Sequence, residues 1–144
     1  VSTPSKDKDQ VGQLSPRAWE GIRLFNAGDF FQAHEALEEA WKGASSPQRE
    51  LYQGILQIGL AYYQIRQGSY RGALKMFRRG QSKLASLGED QNGIDVKGLR
   101  EDAQKVEDAL KKLGRAGMAE LMVEGFQPIR TSPGPHQGRQ EPIP

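Results

Sequence analysis

The chain has 144 residues, 36% of them hydrophobic, a net charge of +2 and a mean hydropathy of -0.70, enough for one domain with one modest core. No run approaches the length of a membrane span. Without cysteine, disulfides, thiolate metal sites and cysteine nucleophiles are excluded, and so small a net charge argues for nucleic acid only through its distribution.

Residues 1–14 are polar and aperiodic, which reads as a flexible leader; the start at Val1, with no Met and no apolar signal segment, reads as a processed or trimmed end. Ser15-Pro16 opens a first helix as N-cap and first helical position. Ala18, Trp19, Ile22 and Phe25 form its apolar stripe, and Asn26-Ala27-Gly28 ends it. Asp29 with Gln32 is a capping-box-like start for a second helix from Phe30 to about Lys42. On a wheel of about 100° per residue, Phe30, Phe31, Leu37 and Trp41 mark an apolar face, with His34 and Glu38 inside it and Glu35 at its margin. Burying a histidine and a carboxylate one turn apart is costly unless each is hydrogen-bonded, charge-paired or metal-bound, so these residues name a candidate site.

Ser46-Pro47 repeats the start signal for a third helix, which carries no charge from Leu51 to Ile65 and so reads as central. Gly54, Gly59 and Ala61 allow close approach of its neighbours. Gln53, Gln57 and Gln64 share one face, and as buried amides they need partners; the economical expectation is that they face His34 and Glu38, or line a small wet pocket. Gly68-Ser69 starts a fourth helix with Leu74, Phe77, Leu84 and Leu87 inward and Arg71, Lys75, Arg78, Arg79 and Lys83 as a basic stripe. No acidic residue occurs from Tyr52 to Gly88. After a loop over 88–93, Val96, Leu99, Ala103, Val106, Leu110 and Leu113 make a narrow seam that lies across the bundle or against a second copy, a homodimer through residues 94–113. Gly114 and Gly117 interrupt it before a short last helix to Glu124. Residues 127–144, with five prolines and two glycines, have linker composition.

The expected fold is therefore all-α: a single compact bundle of five to six helices built from antiparallel hairpins, spanning 15–126, with leader and tail on either side. Gly28-x-Phe30-x-x-Ala33 and Gly68-x-Tyr70-x-x-Ala73 echo each other at the start of the second helix of each hairpin.

His34-Glu35-Ala36-Leu37-Glu38-Glu39-Ala40-Trp41, preceded by Asn26-x-Gly28-x-x-Phe31 and followed by Gln53-Gly54-x-x-Gln57 and Gly72-Ala73, resembles the family of domains of unknown function numbered 309, over about Ala18 to Leu87. The resemblance implies an all-helical fold and the label of a predicted metal-dependent hydrolase. Where many members carry a histidine after the tyrosine of the third helix, this chain has Gln64 after Tyr63, which removes a possible ligand.

Three functions follow from these residues. The first is a non-catalytic interaction or structural module, in which His34 and Glu38 form a buried polar network with Gln53, Gln57 and Gln64, walled by Trp41 and Tyr63. The second is a hydrolase: a divalent metal on His34 and Glu38 with Glu35 as base, or a metal-free acid–base pair in which Glu38 orients His34. A metal would need a further ligand, and the one other histidine, His136, lies in the tail. The third is an anion site on the Arg71–Lys83 stripe for an acidic protein or nucleic acid, although aromatic interleaving is missing there. No membrane partner is expected. The compartment expected is the cytoplasm or an equivalent reducing one, an organelle reached through a removed targeting peptide included.

Overall fold

The computed structural model describes residues 13–123 and 126–131; residues 1–12 of the leader, His136 and the rest of the tail from 132 onward lie outside these. Five helices account for most of the described chain: α1 (Pro16–Asn26), α2 (Phe30–Lys42), α3 (Gln48–Arg66), α4 (Tyr70–Ala85) and α5 (Val96–Val123). The expected all-α bundle is the fold observed.

The helix starts follow from side-chain caps that satisfy N–H groups without an intrahelical partner. Ser15 Oγ accepts from Ala18 N–H at 3.1 Å, Asp29 Oδ1 from Gln32 N–H at 3.4 Å, and Ser69 Oγ from Gly72 N–H at 3.2 Å. The Ser46-Pro47 signal works differently. Ser46 Oγ donates to Glu50 Oε2 at 2.9 Å, so α3 starts at Gln48 without a side-chain cap bond.

α3 is the central element. It packs on α2 and α4 and touches α5, while α1 packs on α2 and α5 lies against α4. Its glycines set how closely the neighbours approach. A Cβ on Gly54 would sit 2.5 Å from Leu84 Cδ2 and 3.5 Å from the Gly80 carbonyl oxygen, and one on Gly59 would sit 3.3 Å from Phe25 Cδ2. The core of Phe25, Phe30, Leu37, Ile55, Ile58, Tyr62, Ile65, Phe77 and Leu84 lies between the helices, each large side chain contributing roughly 1.5–3 kcal/mol on removal from water.

The seam on α5 is filled by this chain's own helices: Val96, Leu99, Ala103 and Leu110 are buried in the packing of α5 on α4 and α3. Gly114 leaves helical geometry at φ 68, ψ -174 and divides α5 into two stretches, which reconciles a count of five with one of six.

Two features depart from the loop and tail expected between and after these helices. The 88–93 loop holds a small antiparallel ribbon, β1 (Asp90–Gln91) and β2 (Ile94–Asp95), closed by Asn92 and Gly93, both at positive φ. Asn-Gly at such positions is the preferred two-residue hairpin turn. Residues 127–131, the start of the segment with tail composition, run along the body. Asn26 grips the backbone of Ile129 twice, donating from Nδ2 to its carbonyl oxygen at 3.2 Å and accepting its N–H at 2.7 Å. Ile129 is buried, Phe126 stacks on Tyr62 at 4.3 Å, Arg130 pairs with Asp95 and Asp102, and Ile94 bridges Thr131.

Candidate functional site

The face α2 buries is not centred where its large apolar residues suggest. Phe30, Ala33, Ala36, Leu37 and Ala40 are buried, whereas Phe31 is 43% exposed and Trp41 half-buried. Three alanines decide the rotation. Their short side chains let α1 and α3 close on α2, and Leu37 fits against Gly21, where a Cβ would stand 2.5 Å from Leu37 Cγ. His34, Glu38, Phe31 and Trp41 are thereby turned to the flank of the helix rather than into the core.

On that flank His34 Nε2 stands 3.8 Å from Glu38 Oε1, with side chains 24% and 44% exposed. This is an ion-pair distance and too long for a hydrogen bond. His34 Nδ1 is buried without a hydrogen-bond partner. Phe31 joins the imidazole to Tyr63: its ring is 5.9 Å from His34 and 5.7 Å from Tyr63, centroid to centroid. Trp41 takes the Arg49 guanidinium over its ring at 4.6 Å, while its Nε1 is buried and unpartnered. Glu35 is exposed.

The amide stripe does not turn toward His34. Gly72 lies against the Gln64 carboxamide, where an added Cβ would be 3.1 Å from Gln64 Oε1. Gln53 and Gln57 line a groove with Arg78, Arg79, Ser82 and Lys83 of α4. Gln57 Oε1 is buried there without a partner. The close crossing of α3 and α4 at Gly54 and Gly80 sets this rotation, because the glycine faces must meet and the glutamines beside them follow. The expected His–Glu–Gln hydrogen bonds are therefore not formed among the described residues.

A metal fits poorly. Among the described residues no three histidine, cysteine or carboxylate side chains come together, and His34 with Glu38 makes two donors where a stable site needs three or more.

Sequence reasoning passed over two places. Ser82 joins the α3–α4 groove; its position four residues from Arg78 and three from Arg79 was the available signal. The other is a cavity of about 400 Å3 between the ends of α1, α2 and α3, bordered by Ser15, Arg17, Glu39, Gly43, Gln48 and Tyr52. Gln48 is 7% exposed there, Arg17 and Glu39 pair at 2.8 Å, and burial pushes the Tyr52 phenol up from its ordinary value. His34 borders neither place.

Among the described residues no helix is long and apolar enough to cross a membrane. Residues 18–76 match the family described as "Domain of unknown function (DUF309)", the stretch that carries the site residues of α2 and α3. The chain is also similar to a protein of Aquifex aeolicus (strain VF5) described as "Uncharacterized protein", 24% identical over 83 residues; the match covers 57% of this chain and 25% of that relative.

Proposed function

We propose that this helical domain is a non-catalytic interaction module that recognises a protein partner through the α2 flank around Phe31. The observation that carries the reading is the exposure of Phe31, the one large hydrophobic side chain in the open among the described residues, in ring contact with His34 and Tyr63. Aromatic side chains at the centre of a patch are the usual anchors of a protein interface.

Catalysis draws less support. A general base needs an orienting carboxylate in hydrogen-bond reach and a cleft for substrate, and His34 has Glu38 at 3.8 Å.

The test is to isolate a partner with the parent domain and titrate it against Phe31→Glu and His34→Ala. Phe31→Glu is expected to weaken binding by tenfold or more, a loss of about 1.4 kcal/mol or above. His34→Ala should cost under about 1 kcal/mol of stability, because the side chain makes no hydrogen bond among the described residues and its contacts with Glu38 and Phe31 lie at the half-exposed flank of α2. Unchanged affinity in both variants, or turnover in an ester, amide and phosphoester screen that His34→Ala abolishes, would refute the module.

A further inference from the structure

From the α3–α4 groove we infer a second contact surface, one that receives an acidic amphipathic helix of a partner protein. The inference rests on the reading of the domain as an interaction module, and it adds a contact lined by residues other than Phe31, His34 and Tyr63.

The groove has a volume of about 470 Å3 and is lined by Gln53, Gln57, Arg78, Arg79, Ser82 and Lys83. Three of these carry positive charge, and the other three supply amide or hydroxyl N–H and O–H groups. None carries a carboxylate. Gln57 Oε1 is buried without a partner. The lining is thus made for an acceptor-rich, negatively charged ligand.

Carboxylates that might have neutralised the stripe are engaged elsewhere. Glu39 pairs with Arg17 at 2.8 Å, Glu50 accepts from Ser46 at 2.9 Å, and Glu107, which borders the other side of Arg78, pairs with Lys111 at 3.3 Å. Arg71, Lys75, Arg78, Arg79 and Lys83 make no ion pair among the described residues. The helix dipole accounts for Lys83 in the last turn of α4, but its influence fades within that turn and leaves Arg78 and Arg79 unexplained.

The shape of the surface selects the ligand. From Arg71 to Lys83 the cations recur every three or four residues along about 18 Å of helix, at 1.5 Å per residue, which matches a facing helix with acidic residues one turn apart. On α3, Leu56 and Leu60 lie three residues from Gln53 and Gln57 and are half-buried, so an apolar strip borders the polar one. A nucleic acid strand has no use for that strip, and the groove offers no aromatic ring for a base to stack on. An acidic helix with an adjoining apolar face uses both.

The probe is a synthetic helical peptide carrying a glutamate stripe beside a leucine stripe, with a lysine-for-glutamate version as control and duplex DNA and inorganic phosphate as competitors. The glutamate peptide should shift the amide resonances of Gln53, Gln57, Arg78 and Ser82 and the lysine peptide should not. Arg78→Glu with Arg79→Glu should weaken binding by tenfold or more, and raising salt should weaken the parent complex. Absence of binding up to about 1 mM peptide, or tighter binding of DNA or phosphate to the same residues, would overturn the inference. A peptide lost by Phe31→Glu but kept by the double charge reversal would also overturn it, while leaving the Phe31 patch intact.

Discussion

Tyr62 shows how one side chain can be right for shape and wrong for chemistry. Its ring is fully buried, stacked on Phe126 and edge-on to Phe30 and Phe77, yet its hydroxyl has no hydrogen-bond partner. Burial, with the Asp102 carboxylate adding to it, pushes the phenol far above the ordinary value of 10.0. Tyr62→Phe keeps the ring and removes the orphan, and should raise stability by about 1 kcal/mol in urea denaturation. The same shift sets a pH dependence. A folded-state pKa above the unfolded one means the stability is complete below about pH 10 and declines as pH rises from there toward the folded value. Tyr52, also raised by burial, acts in the same direction. Melting temperatures of the parent should therefore fall above that pH, and Tyr62→Phe should flatten but not abolish the decline. A parent that melts at one temperature from neutral pH to pH 12 would contradict the burial argument.

Between elements, the α3–α4 crossing decides the most. Gly54 and Gly80 face each other so closely that a Cβ on Gly80 would lie 2.8 Å from Ile58 Cδ1 and 3.2 Å from the Gly54 carbonyl oxygen. Gly54→Ala improves helix propensity by roughly 1 kcal/mol but forces Leu84 aside, and overpacking of a tight contact costs about 1–3 kcal/mol. The expected net effect is a loss of stability, read from the urea midpoint, together with altered amide resonances in the Gln53–Lys83 groove as α4 is pushed away. A stabilised variant would mean that the crossing has slack. Much at this scale was legible in the sequence. Ser15, Asp29 and Ser69 announce their helices because a cap is a local interaction among three or four neighbouring residues. The charge-free run from Leu51 to Ile65 announces the central position of α3. The Asn92-Gly93 hairpin was legible too, but it sits in a connection short enough to pass for a plain loop.

Over the whole molecule, the segment 126–131 closes the end of the bundle. Phe126 stacks on Tyr62, Ile129 is 4% exposed, and Arg130 at 3.0 Å is the counter-ion of Asp102, whose side chain is only 11% exposed. Ending the chain after residue 125 uncovers apolar core and leaves Asp102 unpaired, a loss expected at about 2–4 kcal/mol. Chemical denaturation of this truncation against a chain ended after residue 131 measures the loss, and equal stability of the two would show that the segment contributes nothing. Composition alone pointed the other way, because five prolines spread over 127–144 dilute the apolar signal of Ile129. By itself the sequence determined the helices, their order, the central place of α3, and the stretch from Asn26 to Trp41 as the one to examine, since caps, periodicity and charge patterning act within a few residues along the chain. Only the tertiary structure decided which way each helix is turned. Alanines and glycines carry almost no hydrophobic signal, yet their close contacts rotate α2 and α3. They turn Phe31 and His34 to the open flank of α2, and Gln53 and Gln57 toward the cations of α4 rather than toward His34.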